Sequence, residues 1–209
     1  TLSMPTAAFP TDWLRRMTAF FTPCWKSALK VLGLALLLFQ VSLAQEQPGI
    51  LAERADINLA DESWHINADF SVRLAPVLEE ALLNGVSLPF VAEADLRRSR
   101  WYWFNQRLTA PTWQIRLSYL PLTQQYRLGN AEGGLSLRFE RLSDALNALG
   151  RVRYWRLGGR ELLQKGESYS LGVRLRLDTG QLPKPFQLNA LTNREWTLES
   201  SWLRMSVNP

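Results

Sequence analysis

From Trp64 to Leu177 the chain repeatedly switches apolar and polar residues at every second position, and that period admits little besides half-buried strands. Tyr169, Leu171, Val173, Leu175 and Leu177 fall on one side of such a run, with Ser168, Ser170, Gly172, Arg174 and Arg176 on the other. Trp64, Ile66, Ala68, Phe70 and Val72 alternate with His65, Asn67, Asp69, Ser71 and Arg73. Further runs predict strands through Trp113–Tyr119, Leu135–Phe139, Trp196–Trp202 and, longest, Val86–Leu96. Strands polar on one side belong in antiparallel sheets with one wet face. The expected fold is therefore mainly β, an antiparallel sandwich-like domain. The alternative is α+β, one curved antiparallel sheet packed on helices.

Two short helices interrupt the strands. Pro76 suits a first helical position, Val77, Leu78, Ala81 and Leu82 form its apolar stripe, and Gly85 can end it in a left-handed conformation. Ser143 is placed to cap a second, with Ala145, Leu146 and Leu149 facing inward and Gly150 at its end. Asn130–Gly134, Gly158-Gly159 and Lys165-Gly166 read as hairpin connections. Leu182-Pro183-Lys184-Pro185-Phe186 reads as a stiff loop, either a crossover between strands or an extended docking epitope.

The first 44 residues have a different character. Lys26 and Lys30 precede a Leu-rich run from Val31 to Phe39, and Val41-Ser42-Leu43-Ala44 ends with small residues where a signal peptidase cuts. The expectation is an exported chain cleaved after Ala44, periplasmic, with one domain over residues 45–209; Met17 would open a compact signal. A retained anchor facing the periplasm is the alternative, though the run falls short of the roughly 20 apolar residues of a span. The single cysteine, Cys24, lies in this segment, so the mature domain would have neither disulfide nor thiolate metal site. A chain of about 165 residues buries about two thirds of its unfolded surface without such staples. Residues 1–44 hold Arg15, Arg16, Lys26, Lys30 and Asp12, so without them the formal charge drops from +5 to +2. So small a charge argues against sequence-independent nucleic-acid binding.

Catalytic signatures are missing. The sole histidine, His65, falls on a polar strand face and reads as a surface residue; no His-Glu-x-x-His, Gly-x-Ser-x-Gly or phosphate-cradling loop occurs. Glu93 and Asp95 share a strand face, and Asp56, Asn58, Asp61 and Glu62 cluster near a turn. A carboxylate pair would serve glycoside cleavage, but both groups read as surface charge, and Asp56, Asn58 and Asp61 lack the spacing of a calcium loop. No cofactor is expected.

Arginine is the unusual element. Beyond residue 44 only Lys165 and Lys184 are lysine, while Arg73, Arg116, Arg138, Arg174 and Arg176 occupy polar strand faces. Guanidinium forks suit phosphates and carboxylates; the competing expectation is cross-strand pairing with Glu140, Asp69 and Glu199. Arg100-Trp101-Tyr102-Trp103 breaks alternation, because four such neighbours cannot all face one core. Core residence under a helix is the favoured reading of those rings, and an interface the other. The candidate interaction surface is thus Arg100, Trp101, Tyr102, Trp103, Arg116, Arg174 and Arg176.

Arg100-Trp101-Tyr102-Trp103, Leu117-Ser118-Tyr119 with Leu122-Thr123-Gln124-Gln125-Tyr126-Arg127, and Leu142-Ser143-Asp144-Ala145-Leu146 with Val152-Arg153-Tyr154-Trp155 resemble the bacterial DUF4390 family. Arg174–Asp178, Leu182–Phe186 and a final tryptophan-containing strand extend the likeness over nearly the whole mature region. The resemblance implies a secreted or envelope protein of Gram-negative proteobacteria, often encoded beside a membrane sensor histidine kinase, and supplies no catalytic residues. The expected function is a non-catalytic periplasmic binding or signalling accessory contacting such a kinase, or an anionic lipid or glycan. An envelope glycan-active enzyme using acidic residues and a purely structural envelope protein are the alternatives.

Overall fold

A computed structural model describes residues 47–99, 106–130, 134 and 136–209, and Gln47–Pro209 form one compact unit. It opens on a long hairpin, β1 (Gly49–Ala60) and β2 (Ser63–Arg73). Asp61 and Glu62 connect them with φ of 48° and 56°, the left-handed pair that matches strand twist in a two-residue turn. Helix α1 (Pro76–Leu83) buries Leu78, Ala81 and Leu82, and Gly85 at φ 86° ends it, both as expected.

Next come β3 (Leu88–Arg98), β4 (Gln106–Thr109), β5 (Thr112–Leu120), β6 (Gln125–Asn130) and β7 (Ser136–Phe139). Helix α2 (Leu142–Leu149) buries the expected Ala145, Leu146 and Leu149, but it starts one residue before Ser143, whose side chain does not cap it. Strand β8 (Arg151–Gly159) follows directly. Gly158 and Gly159 are its last residues rather than a hairpin turn, and a Cβ on Gly158 would meet Leu162 at 2.8 Å. Strands β9 (Tyr169–Leu177) and β10 (Leu203–Val207) bracket helix α3 (Lys184–Thr192). That helix overturns the loop reading of Leu182–Phe186: Pro183 caps it and Pro185 sits in its first turn, where a missing amide costs nothing. The expected strand through Trp196–Trp202 is instead a 3-10 turn, Arg194–Trp196, then an irregular stretch along β9. Trp196, Leu198 and Ser200 still alternate inward, and Ser200 Oγ accepts the Leu175 amide at 3.0 Å, a bond a regular ladder would give to backbone.

The strands form two antiparallel sheets, β1-β2-β8 and β10-β9-β3-β5-β6-β7, with β4 beside β3. Mainly β with short helices is thus the observed class. The inner faces of both sheets and the buried sides of α1 and α2 share one core, which holds Ile66, Phe70, Leu78, Phe90, Leu149, Val152 and Leu175. At the junction of α2 with β2 the backbones nearly touch: Gly150 O accepts the Phe70 amide at 2.9 Å, and a Cβ on Gly150 would lie 2.0 Å from Phe70 O.

Candidate functional site

Two polar surfaces gather the candidate residues. The first is the outer face of the larger sheet. Its central strand β3 places Glu93 opposite Arg174 and Asp95 opposite Gly172 of β9, and facing residues in an antiparallel ladder share a side. Glu93 takes Arg174 at 2.7 Å on one oxygen and Arg176 at 2.8 Å on the other. Asp95, buried, takes Arg97 at 2.7 Å and Arg107 at 2.8 Å. Burial alone would push the Glu93 carboxyl upward, but the two arginines outweigh it and hold Glu93 below its ordinary value. Trp202 lies over Gly172, with the guanidinium of Arg174 4.7 Å from its ring centre and that of Arg204 5.8 Å away.

Cross-strand pairing therefore explains Arg174 and Arg176, with Glu93 as the partner in place of Glu199; the expected Asp69 pairs instead with Arg153. Arg116 differs. It is exposed on β5 opposite Pro89 and Gly129, and among the described residues it has no ion pair. Exposed Arg127 and Arg138 face each other across β6 and β7, and Glu140 lies beyond the end of β7. Arg100, Trp101, Tyr102, Trp103 and Ala44 lie outside the described residues.

The second surface was not singled out by sequence reasoning. On the outer face of the small sheet, Ile66 pairs with Trp155 and Ala68 with Val152, so Asn67 alone opposes both Arg153 and Tyr154. This is a β-bulge. Tyr154 adopts φ 52°, a left-handed backbone that costs a bulky residue about 1–3 kcal/mol, and its side chain stands 74 % exposed. The Asn67 amide holds the distortion from below. Its oxygen accepts the Tyr154 amide at 3.2 Å, and its nitrogen donates to Asp56 at 2.9 Å and Asn58 at 3.2 Å. Arg153 is tied to Asp69 and to the carbonyls of Ala68 and Val152. The ring of His65 meets Tyr154 edge-on at 6.3 Å, and its Nδ1 is buried with no hydrogen-bond partner among the described residues.

Arg153 and Tyr154 wall two crevices at once. One, about 270 Å³, adds Arg54, Asp56, Asn58, Asn67 and Asp69; the other, about 340 Å³, reaches across to Trp113 and Asn130 of the larger sheet. Asp61, grouped with Asp56 and Asn58 in sequence, sits in the β1–β2 turn, and no three metal-binding side chains converge among the described residues. The crevices offer an aromatic wall, carboxylates, amides and guanidinium in one place, a set suited to orienting a polar ligand.

No curated protein and no solved structure matches the chain. A family model does, over residues 47–206, which covers both sheets and both surfaces; the chain belongs to DUF4390, described as a domain of unknown function.

Proposed function

We propose that the chain is a non-catalytic binding domain, exported to the periplasm, that serves the cell envelope as an accessory by contacting a membrane protein. A sensor histidine kinase is the first candidate partner. The observation that carries this reading is Tyr154, an exposed ring on a strained backbone whose amide donates to the Asn67 side chain, itself fixed by hydrogen bonds to Asp56 and Asn58. Strain of that kind persists where the surrounding structure over-determines it, and it gathers at binding and catalytic sites. Two further features favour binding over acid–base chemistry. A general acid needs a raised pKa, whereas Glu93 is held low by Arg174 and Arg176. Asp95 is buried beneath two arginines that occupy both of its oxygens.

The test is a pulldown from envelope extract with residues 47–209, beside variants Tyr154→Ala and Trp101→Ala/Trp103→Ala checked for native circular dichroism. A membrane protein retained by the parent and by Leu51→Ser, a control at an exposed leucine of β1, but lost with Tyr154→Ala supports the reading. Equal retention by all of them removes Tyr154 from the interface. Export is tested separately: mass spectrometry of the periplasmic fraction should find a chain beginning at Gln45.

A glycan-active enzyme is the second reading, because Asp56 and Asp69 line one crevice with an exposed aromatic ring. Each carboxylate is engaged, Asp56 by Asn67 and Asp69 by Arg153. Release of soluble fragments from envelope glycan by the parent but not by Asp56→Asn would establish that reading in place of the first.

A further inference from the structure

Register gathers several segments at one end of the larger sheet. Leu88 opens β3 opposite Leu117, Phe90 faces Leu177 at the end of β9, Leu120 faces Gln125, and Tyr126 faces Phe139. The start of β3, the end of β9, the β5–β6 turn and the end of β7 therefore lie together. Helix α1 leads into β3 there and α3 follows β9, while Phe186 of α3 packs on Trp196 at 5.4 Å. These segments carry apolar side chains that the core does not use: Leu83 of α1 is 50 % exposed, Leu122 of the β5–β6 turn 101 %, and Leu188 and Leu191 of α3 67 % and 83 %. Isolated exposed leucines are ordinary, but here separate segments bring theirs to the same end.

Positive charge borders them. On the outer face of β5, β6 and β7 the register gives a column Arg116–Gly129–Ser136 beside a column Ser118–Arg127–Arg138. Three exposed arginines thus frame a floor of glycine and serine, and none has a carboxylate opposite it. A Cβ on Gly129 would touch only Ser136, so the floor is open. Arg127 directly opposite Arg138 is an unfavourable like-charge pair. Exposed Lys184 opens α3 at the same end.

We propose that this end of the molecule docks on the surface of an anionic phospholipid bilayer, with Arg116, Arg127 and Arg138 on lipid phosphates and Leu122, Leu188 and Leu191 among the upper acyl carbons. Exposed leucines at the sheet end and arginines on the adjoining outer face supply the two attractions that hold a protein in a membrane interface, apolar burial and charge. Phosphates also neutralise the Arg127–Arg138 repulsion. Leu188 and Leu191 are spaced three apart, so they share one face of α3 and can enter together. The site is separate from the Tyr154 crevices and does not depend on their role.

The test is co-sedimentation of residues 47–209, the unit that holds the whole core, with vesicles of phosphatidylglycerol in phosphatidylcholine or of phosphatidylcholine alone. Binding should require the anionic lipid and weaken with salt. Arg127→Ala/Arg138→Ala should lower it about 25-fold, at roughly five-fold per arginine. Leu122→Ser/Leu191→Ser should also lower it, with melting temperature unchanged because these side chains are exposed. Equal binding to neutral vesicles, no binding at about 0.1 M salt, or binding indifferent to both variants overturns the proposal. So does full competition by millimolar glycerol phosphate, which would make a soluble phosphate the ligand rather than the membrane.

Discussion

At the scale of single residues, Tyr154 and Asn67 divide a labour between strain and restraint. Replacing Tyr154 by glycine removes the left-handed penalty and leaves stability unchanged or raised by up to about 1 kcal/mol, since the glycine's own entropic cost offsets part of the relief. Urea unfolding measures this; a clear loss would mean that the exposed ring supports the fold. Asn67→Ala should have the opposite sign, costing about 1–3 kcal/mol because the Asp56, Asn58 and Tyr154 groups lose their partner. Glu93 adds a pH dependence. Its folded pKa lies below its ordinary value, so its contribution is present above the ordinary glutamate pKa, about 4.3, and is lost as pH falls through the folded value. Glu93→Gln should cost about 2 kcal/mol at neutral pH and flatten the fall in stability below pH ~4.3. An unchanged acid limb in thermal melts would contradict the pairing with Arg174 and Arg176.

At the scale of elements, bulges decide what could be read from the sequence. The strands with uninterrupted alternation, β2, β3, β5 and β9, are legible from residue types alone. Strand β8 is hidden because its inward residues run Val152, Trp155, Leu157: the extra residue at the bulge shifts the phase by one. Strand β1 is hidden for the same reason, since Ile50 and Ala52 give way to Ala55 and Ile57 across a register shift at Glu53. The Tyr154 surface depends on that phase break, so the periodicity that reveals the fold conceals this site. Helix α3 escaped because prolines read as loop chemistry, although a first turn accepts them. The outer-face arginines were legible as candidates but their partners were not, because alternation fixes faces and not neighbours. The α2–β2 junction gives a further expectation. Gly150→Ala drives a methyl into the Phe70 carbonyl and should cost about 2–3 kcal/mol, read from the urea midpoint. A neutral result would mean that α2 can slide along the sheet.

At the scale of the whole molecule, partners meet from opposite ends of the sequence. Strand β2 pairs with β8, β3 pairs with β9, and β1 sits on the far edge of the small sheet. Most of the core lines those two seams, so no early part of the chain contains a finished hydrophobic interior. A truncation ending before Tyr169 should be unfolded throughout, with no cooperative melt by circular dichroism, rather than folded with a missing edge; a residual cooperative transition would show that the β3–β5–β6–β7 meander closes alone. The same stitching governs timing. Loop-closure entropy delays pairings so distant in sequence, and the strand that completes the larger sheet's centre is among the last synthesised. A chain built this way stays an open string until its final third is available to it, and only then closes.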